Sequence, residues 1–450
     1  MMIPGVIDLF SGCGGLAAGF DSAGYSIAGG ADLDTHASET ASYNLSYRYG
    51  KSIGHVCRDL TRITAADIPI EQNPAGYIVV GGPPCQAYSR AGRGKLRSLG
   101  EHYLEDPRGS LYHDYIRLCL EIGVEGLIME NVPEALDYGG VNIPELVSEM
   151  LEREGFSVAW TILNAADFGV PQVRERMILV ALKKERWGEV SFPEPTHESP
   201  TQTKTAWDQR KRKLNVYKHY LDVAKGVPSK PPWVTLGDAL SDLPSLFPTS
   251  SSRYRLHQPS ILMPYATVVQ NEYQEMMRTW YGSLSNYVSG NSFRNTVRDF
   301  QIFEKMVPGD DFRQVVKIAE LMLAKACRES GITEETDQDR YRALLKRIVP
   351  PYARDKFHEK WKKLDPAKPS HTLVAHLGVD TYSHIHPWEP RGISVREAAR
   401  LQSFPDGFLF QCPMSEAFRQ IGNAVPPLLS RAIALHLKKI FLGDDHGICS

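Results

Sequence analysis

Four short apolar runs in the first 182 residues each meet a glycine cluster, an ionisable side chain or a polar loop. Val6–Phe10 stops at a Gly-rich turn, and Gly76–Val80 stops at Gly81-Gly82. Leu127–Met129 stops at Glu130, and Met177–Leu182 follows a polar loop. Between them, Leu111–Ile122 and Ile143–Glu154 carry helical periodicity. Strands alternating with helices over 6–182 predict a parallel sheet covered on both faces. Ligands of such sheets bind beyond the carboxyl ends of the strands, so residues at those ends are the first candidates for chemistry.

A chain of 450 residues is too long for one small core, and two or three domains are expected. No apolar run approaches the roughly 18 residues of a bilayer span. The opening M-M-I-P-G-V-I-D-L-F lacks the basic region and cleavage site of a secretory signal. Cysteines at 13, 57, 85, 119, 327, 412 and 449 are dispersed, with no C-x-x-C pair. That argues for a reducing, cytoplasmic setting, and against a disulfide frame or structural zinc. The net charge of −2 is unevenly spread. Residues 183–368 hold 31 Lys and Arg against 23 Asp and Glu, whereas the remainder holds 20 against 30. A basic middle suits a lobe that faces phosphates. Charge alone suits solvated helix faces equally well.

Five motifs carry chemistry. In D-L-F-S-G-C-G-G-L-A-A-G-F (8–20) a strand ends, glycines turn the chain and a helix begins. Backbone N–H groups there can meet a carboxylate, and glycine permits close approach. Asp32 follows the next apolar run, where an acidic residue would bind ribose hydroxyls. Asp59 and Leu60 offer an acceptor beside an apolar wall. Read alone, Asp32 and Asp59 are equally surface or loop carboxylates. In G-G-P-P-C-Q-A-Y-S (81–89), Pro83-Pro84 stiffens the approach to Cys85, while Gln86 and Ser89 add polar contacts. A thiol held this way is a candidate nucleophile, because a thiolate attacks best when fixed and activated. Glu130 follows an apolar run, so partial desolvation is expected to raise its pKa and let it donate a proton. In Q-V-R-E-R (172–176), Arg174 and Arg176 point the same way if the segment is extended. G-N-A-V-P-P (422–427) opens the last helix, with proline in its first turn.

Taken in order, D-L-F-S-G-C-G-G, G-P-P-C-Q-A-Y-S, E-N-V-P, Q-V-R-E-R, R-E-A-A-R-L-Q-S-F-P (396–405) and Q-I-G-N-A-V-P-P (420–427) are similar to successive signature motifs of the prokaryotic-type cytosine-5 DNA methyltransferase family. The resemblance covers 6–182 and about 368–440. It implies an α/β fold: a Rossmann-like S-adenosyl-L-methionine-dependent domain with a smaller DNA target-recognition domain. It also implies S-adenosyl-L-homocysteine as product and no metal. Carried over by position, the cofactor would be held by Asp8, Phe10, Ser11, Gly12, Cys13, Gly14, Gly15, Leu16, Asp32, Leu33, Asp59, Leu60, Pro83, Asn423 and Ala424. Leu33 stands where many relatives have a larger apolar or aromatic side chain against the adenine. Cys85 would be the nucleophile, and Glu130 would hold the cytosine N3 and amino edge. Arg174 would help hold and polarise the base, with Arg176 supporting the site.

The resemblance divides the chain into a catalytic first part (1–182), a target-recognition domain with extra helices (183–368) and a hinge and return to the catalytic domain (369–450). Double-stranded DNA is the implied partner. Gln86, Ser89, Arg294, Asn295, Arg298 and Thr372 are the candidate contacts, with 292–300 combining phosphate and base-edge donors. A restriction endonuclease or defence-system proteins are the implied companions of a chain expected to be monomeric. Three other readings fit less well. The tRNA-modifying branch carries a C-F-T tripeptide that this sequence lacks. A catalytically silent relative would have lost Cys85 or Glu130. A nicotinamide enzyme would need a clean G-x-G-x-x-G and would leave 81–89 unexplained.

Overall fold

The computed structural model describes residues 2–84, 111–138, 140–200, 211, 213–223, 230–246, 262–282, 286–351 and 360–443. The chain divides into two compact units. One comprises Met1–Val234, Gln402–Phe404 and Asn423–Ser450, and the other Thr235–Leu401 and Pro405–Gly422.

The first unit is built on seven strands: β1 (Gly5–Leu9), β2 (Ile27–Asp32), β3 (His55–Cys57), β4 (Tyr77–Gly81), β5 (Gly126–Asn131), β6 (Phe156–Asn164) and β7 (Glu175–Lys183). Their order across the sheet is β3-β2-β1-β4-β5-β7-β6. Strands β1 to β5 are parallel, and β7 runs antiparallel to both β5 and β6. This is a Rossmann-like, mostly parallel α/β fold. The antiparallel strand departs from the wholly parallel sheet expected from the alternation. The link from β6 to β7 is too short for the helical crossover that parallel neighbours need, so β7 turns straight back. Strands β1, β4 and β5 are buried nearly throughout, as a sheet covered on both faces requires.

Helices α1 (Gly15–Ser22), α2 (Thr35–Leu45), α3 (Leu111–Ile122) and α4 (Ile143–Arg153) belong to this unit. Asp34 caps α2 by accepting from Ala37 N at 2.9 Å, and Asn142 caps α4 by accepting from Glu145 N at 2.9 Å. The core packs Ile7, Leu9, Val79, Tyr115, Leu127 and Trp160 together.

The second unit holds α5 (Leu236–Leu240), α6 (Glu272–Thr279), α7 (Val297–Lys305), α8 (Phe312–Ser330), α9 (Gln338–Ile348), α10 (Val395–Leu401) and all but the last residue of α11 (Met414–Asn423). Two two-residue strands, β8 (Met263–Pro264) and β9 (Tyr287–Val288), pair antiparallel. Phe293, Phe300, Phe303, Phe312 and Trp361 form its aromatic core. Beside it lies a buried charge network. Arg400 donates to both oxygens of Asp406 at 2.6 Å, to Asp242 at 3.1 and 3.2 Å, and to Ala239 O at 2.8 Å. Arg278 reaches Asp242 at 2.5 and 2.8 Å, and Tyr265 donates to Asp406 at 2.6 Å.

The run His371–Ala375, whose alternation suggests a strand, forms none. A Cβ on Gly422 would lie 2.3 Å from the Val374 carbonyl carbon, so this backbone lies against α11 rather than against a neighbouring strand. The final helix, α12 (Pro427–Leu442), returns to the first unit and lies on α1. A Cβ on Gly19 would come within 2.5 Å of Arg431 N and Pro427 O, so glycine lets the two backbones touch. No helix among the described residues is long and apolar enough to cross a membrane.

Candidate active site

The carboxyl ends of β1 and β2 make the first part of the site. After β1 the chain passes through Phe10 at φ 54°, Gly12 at 52° and Gly14 at 83° before α1 begins. Such left-handed backbone strains Phe10 but not the glycines. Gly12 N donates to Asp32 Oδ2 at 2.7 Å, and Asp34 N donates to Asp32 Oδ1 at 2.8 Å. Asp32 therefore ties the glycine loop to the end of β2. Burial raises its pKa, against the lowering effect of those N–H groups. Leu33, next to it, is 70 % exposed, an unusual state for a leucine beside a buried sheet end.

Ser11, Cys13, Gly15 and Leu16 are buried in the turn and the start of α1. A Cβ on Gly15 would lie 2.5 Å from Val425 O, so the last motif of the chain closes directly on the first. Asn423 is exposed at the end of α11, and Ala424 is buried. The Ala424 carbonyl accepts from Arg174 Nη2 at 3.0 Å and from Gln402 Nε2 at 2.6 Å. Gln402 also accepts from Gln172 Nε2. Motifs separated by some 230 residues are thus joined by amides and one guanidinium. Asp59 is engaged locally: Thr61 donates to it from N at 3.1 Å and from Oγ1 at 2.7 Å, which lowers its pKa. Leu60 is a core residue. The Asp8 side chain lies inside the sheet, 4.0 Å from His55.

The carboxyl end of β5 makes the second part. Glu130 is buried, and Arg176 Nε lies 2.8 Å from its Oε1. Desolvation raises the Glu130 pKa, and Arg176 and then Arg174 oppose the rise. Both arginines therefore act on one carboxyl group, although β7 starts at Glu175 and only Arg176 lies within it. Arg174 is set by Asn164, whose Oδ1 accepts from Arg174 N at 3.2 Å. Asn131 Nδ2 donates to Pro83 O at 3.1 Å, fixing the exit of the chain from β4. A Cβ on Gly82 would lie 3.0 Å from Glu130 Oε2, so glycine there leaves the carboxyl uncrowded. Cys85, Gln86 and Ser89 lie outside the described residues.

The candidate DNA contacts in the second unit are held by their own neighbours. Arg294 is half-buried and donates to Leu377 O at 3.2 Å and to Gly378 O. Arg298 is exposed and pairs with Asp299 at 2.7 Å. Asn295 is exposed, and Thr372 is partly buried. Sequence reasoning did not single out Gln172, Gln402, Asn164 or His55. The first two sit inside recognised motifs, which is a signal; Asn164 and His55 carry none.

The chain matches the model of the C-5 cytosine-specific DNA methylase family over residues 5–439. It is 50% identical over 450 residues to a protein of Oceanobacillus iheyensis assigned as type II methyltransferase M.OihORF3336P, covering 98% of this chain and 96% of that one. It is 28% identical over 447 residues to type II methyltransferase M.DdeI of Desulfomicrobium norvegicum, covering 97% and 89%. A solved structure described as a DNA modification methyltransferase encoded within an E. coli prophage has the same fold. It aligns with a TM-score of 0.63 at 22% identity, over 98% of this chain and 100% of that one.

Proposed function

Because the chain belongs to the C-5 cytosine-specific DNA methylase family and is an enzyme of that family, we propose that it transfers a methyl group from S-adenosyl-L-methionine to C5 of a flipped cytosine in a specific duplex sequence. The observation that carries this reading is Glu130. It is a buried carboxyl at a strand end with a raised pKa and two arginines acting on it, suited to protonate or hold a ring nitrogen.

Three features support the cofactor assignment. A Cβ on Gly12 would meet nothing within 4 Å, which leaves room for a ligand above the loop. The Asp32 carboxylate is an acceptor at the end of β2, where ribose hydroxyls bind in such folds. The exposed Leu33 beside it offers the apolar contact an adenine ring needs. S-adenosyl-L-methionine supplies an electrophilic methyl group on a sulfonium. The loop 10–15, Asp32, Leu33, Asp59 and Ala424 would hold it, with Asn423 closing the pocket.

The work of the chain's own residues is to activate a poor carbon nucleophile. The Cys85 thiolate adds to C6 while Glu130 stabilises charge at N3, and C5 becomes enamine-like. Arg176 holds the Glu130 carboxyl, and Arg174 helps orient the base. After methylation the C5 proton leaves, the cysteine is eliminated and the ring is restored. The base must leave the duplex to be reached from both faces. Target reading is assigned to the basic segment 183–368, with Arg294, Asn295, Arg298, Gln86, Ser89 and Thr372 as contacts. As its relatives are named type II methyltransferases, its place is beside a restriction endonuclease or in phage defence.

Bisulfite sequencing of DNA from cells expressing wild type and Cys85→Ser tests this. Unconverted cytosines at one short motif, absent with the variant, are expected. Full conversion in both samples would overturn the reading in favour of an RNA substrate or a silent relative.

A further inference from the structure

Behind the glycine loop, three buried polar atoms have no hydrogen-bond partner: Asp8 Oδ2 and both ring nitrogens of His55. Unsatisfied buried polar groups are costly, and each asks for a reason. The two residues stand in register across three parallel strands, Asp8 opposite Gly30 and Gly30 opposite His55. Strand spacing puts the outer backbones about 9.6 Å apart. The imidazole crosses that gap over the bare face of Gly30, where a Cβ would lie 2.2 Å from His55 Cδ2 and 2.4 Å from Nε2. It ends with Nε2 4.0 Å from Asp8 Oδ2. That is too long for a hydrogen bond, and closing it takes an approach of about 1 Å. Asp8 is also bonded by the backbone N–H of Ala17, in α1. The carboxyl group therefore ties the end of β1 to α1 across the loop that joins them.

We propose that His55 is a positioning residue for the cofactor loop. Its ring closes on Asp8 with one proton held between Nε2 and Oδ2, and the brace fixes residues 10–14 for the ligand. This rests on the S-adenosyl-L-methionine reading above. Burial, with Asp32 adding, pushes the Asp8 carboxyl well up, and burial pushes His55 down to about 4. With the ring's own hydrogen on Nδ1, a further proton on Asp8 Oδ2, offered to Nε2, keeps the pair neutral. Asp32 and Tyr115 are the other titratable groups facing Asp8. Loss of the proton at alkaline pH would leave a bare carboxylate beside Asp32 and loosen the loop.

The test is calorimetric titration of S-adenosyl-L-homocysteine into wild type, His55→Leu, His55→Gln and Asp8→Asn across a pH series. His55→Leu should weaken binding roughly tenfold, the loss of one buried hydrogen bond. His55→Gln should recover most of it, because its amide oxygen can accept from the protonated Asp8. Wild-type affinity should fall as pH rises through the raised pKa of Asp8, and Asp8→Asn should abolish that slope. Wild-type affinity in His55→Leu at every pH would overturn the brace. Absence of binding by wild type would overturn the cofactor reading itself, a distinct result. If His55→Leu does not fold, the ring 15N shifts of wild type decide. An unprotonated Nε2 whose shift moves on ligand addition, as a hydrogen-bond acceptor's does, supports the brace, and unchanged shifts overturn it.

Discussion

Two buried carboxylate–arginine arrangements in this molecule have opposite outcomes. In the second unit Asp406 accepts from Arg400 and Tyr265, with Arg396 nearby, and those charges and hydrogen bonds lower its pKa despite full burial. In the first unit Glu130 has Arg176 at 2.8 Å, and its pKa is nevertheless raised by desolvation. The difference lies in saturation. Arg400 donates to two carboxylates and a carbonyl, and both oxygens of Asp406 accept from it. Glu130 has one close guanidinium, and beside it the bare Gly82 leaves its second oxygen room for something else. A saturated network stores charge to hold a fold, whereas an unsaturated one stores a proton for use.

Glu130→Gln attacks the comparison where the effect is largest. The rate of methyl transfer should fall by about 10²–10⁴-fold, as for loss of a proton donor. The melting temperature should hardly move, because glutamine copies the shape of the protonated acid. A large loss of stability with unchanged rate would place Glu130 with the structural pairs. Asp242→Asn is the converse experiment. It leaves Arg400 and Arg278 short of a buried counter-charge and should cost about 3–5 kcal/mol, read as a lower denaturant midpoint.

A subtler change comes from Arg176→Met. The Glu130 carboxyl, relieved of its strongest opposing charge, should hold its proton to higher pH. The alkaline limb of the pH–rate profile should move upward, and a downward shift would exclude Glu130 as the acid.

The smallest effect concerns stability itself. Asp406 titrates below its ordinary value of 3.8, so its contribution is present above that pH and is lost as pH falls through its folded pKa. Glu130 titrates above its ordinary 4.5, so its contribution is complete below that pH and is lost as pH rises through its folded pKa. Unfolding curves of Asp406→Asn and Glu130→Gln across pH 2–8 should each flatten one of these windows.

Much of this was legible in the chain. The ends of β1, β4 and β5, at Leu9, Gly81 and Asn131, were marked to within two residues by the stop of an apolar run, and the partial desolvation of Glu130 followed from Ile128-Met129 before it. What was hidden depends on chain reversal or on contacts across the sheet. Strand β3 is only H-V-C, too short to show a period, and β6 is buried nearly throughout, so it does not alternate. His55 comes within 4.0 Å of Asp8 only because Gly30 lies between them, a relation no local pattern contains. The inward turn of Arg294 toward Leu377 and Gly378 is likewise set by residues more than 80 positions away.

The packing of α12 on α1 also sets a timetable. Tyr25 OH bonds Ala434 O at 3.1 Å, Lys438 Nζ bonds Ala23 O at 2.8 Å, and Ser430 Oγ bonds Leu16 O, 414 positions away. On a ribosome adding about 5–20 residues per second, the first helix waits roughly 20–80 s for its partner. The glycine loop after β1 opens that helix, and Val425 closes on it at Gly15. A growing chain therefore has its glycine loop and the middle segment 183–368 in hand well before Val425 can close on Gly15.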